Sequence, residues 1–168
     1  SIWNMQSQWH NLPVINNESQ MNGKAYQGTE VVFKKTTDGA SYSLNIADAY
    51  PKTTAVASWK RNIEMFSNKN KINFSERYSL KEIKSPQVIH FISVIKPIIN
   101  GKSLELKLQN GKSVNLLFDD NELDFEIESK KIDDLRISKM WGDYVFRTKV
   151  ILKSKKLTNK IKYSLTVN

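Results

Sequence analysis

The feature that most constrains this chain is an apolar/polar alternation with a period of two residues. It recurs from residue 29 to the C-terminus and is broken each time by Asn, Gly, Pro, Asp or Ser. Successive side chains of a strand point to opposite faces, so the pattern describes strands with one buried and one wet face, whereas a helix needs apolar spacings of three and four. The clearest predicted strands are Tyr42 to Ile46, Trp59 to Phe66, Ile72 to Leu80, Val88 to Ile95, Leu104 to Leu108, Val114 to Phe118, Leu123 to Glu128, Tyr144 to Leu152 and Ile161 to Val167. No segment carries a convincing helical stripe. About ten short strands separated by turn residues predict an all-β fold, an antiparallel β-sandwich of about ten or more strands. No repeat, low-complexity tract or linker divides the chain, so residues 1–168 are expected to form one domain.

Two hairpins can be taken to register. A two-residue loop at Asn110-Gly111 would set Leu106 opposite Asn115 and mix the faces, whereas a three-residue loop, Gln109-Asn110-Gly111, with Gly111 left-handed in a bulge, pairs Leu106 with Val114 and Leu104 with Leu116. The bulged form is expected. In the second hairpin a four-residue loop, Ser67 to Asn70, sets Met65 opposite Ile72, Ile63 opposite Phe74, Trp59 opposite Tyr78 and Arg61 opposite Glu76. Both charges then fall on the apolar face, where a carboxylate–guanidinium pair is the usual remedy, so a partly buried structural ion pair is predicted. Val88 to Ile95 is apolar on both faces and reads as a central covered strand, with His90 a structural histidine in or near the core.

Composition removes several function classes. The absence of cysteine excludes disulfides, a thiol nucleophile and cysteine-ligated zinc. No apolar run approaches the ~18 residues of a membrane span, so no such span is expected. A net charge of +9 and a pI near 9.6 favour a polyanionic partner, although the lysines are scattered along strands in the manner of solvated outer faces. The chain has no Gly-rich phosphate loop, nucleophile elbow, His-Glu-x-x-His helix or EF-hand loop. Asp119-Asp120 and Asp133-Asp134 read as turn formers. Trp9, Tyr26, Tyr50, Trp59 and Trp141 are the aromatic candidates for stacking on sugar rings.

The N-terminal segment, Gln6-Ser7-Gln8-Trp9-His10-Asn11-Leu12-Pro13-Val14-Ile15-Asn16, sets one of only two histidines between an aromatic ring and a carboxamide. The chain begins without Met or any leader, with Trp3 and Trp9 near its start, and is expected to be a piece of a longer protein.

That segment, with Gln20 and Gly23 following, resembles the stretch of heparinase II/III-like polysaccharide lyases that leads into their C-terminal β-domain. Ala49-Tyr50-Pro51, Ser58-Trp59-Lys60-Arg61-Asn62-Ile63, Glu76-Arg77-Tyr78-Ser79-Leu80, and Met140-Trp141-Gly142-Asp143-Tyr144 with Arg147 are similar to later stretches of the same domain, in order. The resemblance implies a parent with an α/α-toroid followed by a β-sandwich, cleaving heparin- or heparan-sulfate-like, uronic-acid-containing glycans by β-elimination. It implies partnership with the chain's own missing N-terminal toroid and with an acidic polysaccharide, no nucleic-acid partner, and a periplasmic or extracellular location. No tyrosine here matches the family's catalytic one, so no catalytic residue is assigned and the piece alone is expected to be inactive. Trp9, Asn11 and Lys60 are the candidate substrate-binding residues. His10 matches a ligand of the structural zinc that some members hold. It is read either as a zinc ligand in the intact parent or as a hydrogen-bonded histidine at the domain interface. No metal is expected in the isolated chain, because one histidine cannot hold zinc. The alternative reading is a noncatalytic carbohydrate-binding β-sandwich, or a structural module of a cell-surface protein.

Overall fold

The alternating segments form strands that pair into two antiparallel sheets in the computed structural model, which describes residues 3–168. In chain order the strands are β1 (Pro13–Val14), β2 (Thr29–Thr36), β3 (Gly39–Asn45), β4 (Val56–Phe66), β5 (Lys71–Leu80), β6 (Gln87–Ser93), β7 (Ile98–Asn100), β8 (Ser103–Lys107), β9 (Ser113–Phe118), β10 (Leu123–Lys131), β11 (Tyr144–Leu152) and β12 (Thr158–Val167), with a helix α1 (Leu135–Trp141) between β10 and β11. The small sheet runs β1-β6-β11-β10 and the large one β2-β3-β4-β5-β12-β9-β8-β7. The architecture is the all-β sandwich that the alternation predicts.

Both hairpin registers follow the predicted pairing. Leu106 opposes Val114 and Leu104 opposes Leu116, with Gly111 at φ 80°, the left-handed conformation that glycine adopts without steric cost. Across β4 and β5, Met65 opposes Ile72, Ile63 opposes Phe74, Arg61 opposes Glu76 and Trp59 opposes Tyr78.

Four elements depart from the sequence reading. β1, β2 and β7 are absent from the predicted strands: β1 has two residues, β7 has three that are all exposed, and β2 is an edge strand with no buried residue. Strands so short or so exposed carry no burial alternation to read. Helix α1 buries none of its seven residues, which is why no helical stripe marks it. Its one local signal is Asp134, whose side chain accepts from the Arg136 N–H at 2.9 Å as an N-cap.

The core lies between the sheets. Trp59, Phe118, Ile89, Val150 and Ile161 have no exposed surface. Tyr163 stacks on Phe74 at 4.8 Å and meets Phe118 at 5.1 Å and Phe91 at 5.4 Å between centroids. Registers across β2, β3, β4, β5, β12 and β9 put Phe33, Tyr42, Ile63, Phe74, Tyr163 and Phe118 in one row on one face. The small sheet, with half as many strands, covers only the inner part of that row. Phe33 at its outer end is 65% exposed.

Asn16 joins the N-terminal segment to the body. It adopts φ 50°, a conformation asparagine tolerates better than most residues. Its Nδ2 donates to the carbonyls of Thr54 (2.7 Å) and Glu82 (2.9 Å), and its Oδ1 accepts from the Lys84 N–H and from Gln87 Nε2, each at 2.9 Å. Tyr50 Oη donates to the Pro13 carbonyl beside it.

Candidate functional site

Residues 3–12 make two 3-10 turns, Trp3–Met5 and Ser7–Trp9, and then run into β1. They lie over the outer face of the small sheet, where strand alternation places His90 of β6, Arg147 and Lys149 of β11, and Glu128 of β10. The Trp3 and Trp9 rings meet edge to face at 5.1 Å. The Arg147 guanidinium lies 4.4 Å from the Trp9 centroid, and Lys130 Nζ lies 5.3 Å from Trp3 and 5.7 Å from Trp9. Cation–π attraction and the bond from Arg147 Nη1 to the Gln8 carbonyl (3.2 Å) together hold the segment down.

Glu128 organises the charges beneath. It accepts from Arg147 Nε at 3.0 Å and pairs with Arg147 Nη2 and Lys149 Nζ. Partial burial opposes its ionisation, but the bonds from Lys149 and Arg147 outweigh that, so its carboxyl titrates below the usual range. His90 is buried under the segment. Loss of hydration, and then the charge of Arg147, push its imidazole down to about 4, while the Gln8 backbone and Glu128 act in the opposite sense. It is a neutral, buried histidine near physiological pH.

Asn11 links this surface to the core. Its Oδ1 accepts from the Ile92 N–H at 2.8 Å, and its carbonyl accepts from Arg61 Nη1 at 2.8 Å. Arg61 Nε in turn donates to Glu76 at 2.6 Å, and that carboxylate also receives Trp59 Nε1 (2.7 Å) and Tyr163 Oη (2.9 Å). Burial, then the Glu76 charge, raise the Tyr163 phenol well above its ordinary value and keep it a proton donor.

Of the candidate substrate-binding residues, the structure brings Trp9 and Asn11 onto one segment, with Trp9 half-buried and Asn11 exposed. Lys60 lies elsewhere. It follows Trp59 on the outer face of the large sheet and pairs with Glu30 at 2.5 Å. Two aromatic candidates present no face to a ligand, since Trp59 and Tyr50 are 0% and 4% exposed. Trp9 has its ring against Arg147, which leaves Tyr26 and Trp141 as the exposed candidates. His10 is exposed, in the wall of a wide depression with Ser7, Gln8, Leu12 and Gln20. Among the described residues no three His, Cys, Asp or Glu converge on a point that could hold a metal ion.

The Arg147, Glu128, Lys149 and Lys130 cluster escaped the sequence reading as a site. Alternation along β11 does mark Arg147 and Lys149 as sharing a face, but no local pattern ties them to a tryptophan at the other end of the chain.

The chain is similar in fold to part of heparinase III. The crystal structure of heparinase III superposes with a TM-score of 0.66 at 10% sequence identity, over 98% of this chain and 24% of that one. This chain thus spans about a quarter of the length of heparinase III. At that identity the likeness to heparinase III is one of fold. No protein-family model matches the chain, and no curated protein matches it significantly.

Proposed function

We propose that this chain is the β-sandwich domain of a polysaccharide lyase that cleaves uronic-acid-containing, heparan-sulfate-like glycans by β-elimination. The observation that carries the reading is the fold shared with heparinase III across nearly the whole chain. In β-elimination a base removes the proton α to the uronate carboxyl, a positive group neutralises the carboxylate, and an acid protonates the leaving oxygen. The catalytic base and acid come from an N-terminal toroid, and this domain contributes an electropositive wall. Its net charge of +9 draws an anionic chain toward it, and Trp9 and Asn11, on the segment that lies over the small sheet, are the residues that would contact that chain. The overhanging apolar row of Phe33 and Tyr42, with Met65 beside it, offers the toroid a surface to cover. His10, exposed, would supply one ligand to a zinc completed by the toroid. On this reading the protein works in the periplasm or outside the cell.

A second reading, a noncatalytic carbohydrate-binding module, draws on Trp141, which is 44% exposed beside a groove lined by Val94, Ile95 and Leu108. Titrating the 168-residue chain with heparan sulfate and with neutral glycans separates the two. The lyase reading predicts weak, salt-sensitive binding of heparan sulfate and none of neutral glycans. Tight, salt-insensitive binding of a neutral glycan, abolished by Trp141→Ala, would establish the second reading instead.

A further inference from the structure

Alternation that turns Arg61, Glu76 and Ile161 inward sends their chain neighbours Lys60, Arg77 and Lys160 to the outer face of the large sheet, where all three are exposed. Register sets Lys60 opposite Arg77 across β4 and β5, and Arg77 opposite Lys160 across β5 and β12. Neighbouring strands lie ~4.8 Å apart, so the three cations form one row spanning roughly 10 Å. Like charges placed directly opposite each other destabilise a sheet. Glu30 offsets Lys60 at 2.5 Å, but among the described residues no carboxylate lies within ion-pair distance of Arg77 or Lys160. Nothing in the packing of the sheet explains that cost.

The row runs between two rows of hydrogen-bonding side chains. On one side Ser58, Ser79 and Thr158 lie opposite one another, and on the other Asn62 and Ser75 lead to Lys162. All are at least partly exposed, and among the described residues none of these hydroxyls and amides is engaged in a side-chain hydrogen bond. Asn62, Ser75, Lys160 and Lys162 line a depression of about 440 Å³. Its two carboxylates stand away from Arg77: Asp119 is beside Lys162, whose carbonyl accepts from its N–H at 3.0 Å, and Glu64 lies two positions along β4 from Asn62. The three rows hold no aromatic residue, so they offer no ring on which a nucleobase could stack.

We propose that this outer face of β4, β5 and β12 binds an acidic glycan laid across the strands, its sulfate or carboxylate groups on Arg77 and Lys160 and its hydroxyls on the flanking serine, threonine and asparagine side chains. The inference goes beyond the lyase reading: it needs no toroid, and it puts a glycan contact on the side of the sandwich opposite to Trp9 and Asn11.

The test is titration of the 168-residue chain with a heparin oligosaccharide, with dextran and with single-stranded DNA. Saturable, salt-sensitive binding of the heparin oligosaccharide and none of dextran are expected. Arg77→Thr combined with Lys160→Thr should weaken that binding about fivefold or more, the reach of two exposed ion contacts. Threonine suits an exposed strand position, so the fold should survive. Lys96→Thr with Lys139→Thr removes the same charge from exposed positions outside this face and should cost less than about twofold. Equal losses in the two double variants would assign the binding to net charge and overturn the proposal. So would binding that Trp9→Ala abolishes and the Arg77, Lys160 pair does not affect, a result that leaves the lyase reading standing. Tighter binding of single-stranded DNA, lost with Arg77 and Lys160, would make the face a nucleic-acid site instead.

Discussion

Arg61 Nε stands 2.6 Å from Glu76 Oε1, and the Glu76 side chain has no exposed surface. The carboxylate is fully engaged only because Trp59 and Tyr163 donate to it as well. A buried charge stripped of its ionic partner typically costs about 3–5 kcal/mol. Arg61→Met should therefore lower the unfolding free energy by about 3–5 kcal/mol in urea titrations at neutral pH. A loss within ~0.5 kcal/mol, the usual range for a surface substitution, would mean that the pair does not hold the sheet.

His90 predicts a pH dependence. Its folded value, about 4, lies below the ordinary histidine value of 6.5, so the unfolded chain binds the proton more readily. The stabilisation from a neutral His90 is thus complete above about 6.5 and is lost as pH falls toward 4. Comparing urea midpoints at pH 7 and pH 5 should show wild type losing about 1–2 kcal/mol more than His90→Asn. Parallel losses in the two proteins would assign the acid sensitivity to other groups.

Asn16 uses its amide at both ends, binding the Thr54 and Glu82 carbonyls through Nδ2 and the Lys84 N–H and Gln87 through Oδ1. Asn16→Ala leaves several of these groups buried and unpaired at a positive φ, so a loss of at least ~2 kcal/mol is expected by thermal unfolding. Asn16→Asp should also destabilise, because Nδ2 is a donor that aspartate lacks.

Trp9 pins the N-terminal segment through Arg147 and Lys130. Trp9→Ala should raise amide exchange across residues 3–12 while leaving β4 and β5 protected, at a global cost of about 1–2 kcal/mol. Unchanged exchange in the segment would show that β1 and Asn11 hold it without the ring.

Sequence alone discloses the two hairpins because two independent constraints agree there: turn chemistry limits the loop length, and only one register keeps apolar residues on one face. Arg61 opposite Glu76 follows from that register. The contact of Trp9 with Arg147 has no such local signature, since it joins an irregular segment to a strand well over a hundred residues away. Lys60 misleads for a related reason. It neighbours Arg61 in sequence, and alternation places it on the other side of the sheet. Helix α1 lacks a stripe because it has no buried face, and β2 reads poorly because its apolar residues, Val31, Val32 and Phe33, are all exposed.

The proposed role of this β-sandwich, one domain of a uronate-cleaving lyase that works only with a catalytic domain, is open to a direct assay. The measurement is ultraviolet absorbance of unsaturated uronate when heparan sulfate is incubated with a longer protein in which this chain follows a catalytic toroid and, in parallel, with the 168-residue chain. Absorbance rising with the longer protein and flat with the chain alone is the predicted result. No rise with the longer protein on heparan sulfate, hyaluronan or alginate would contradict it.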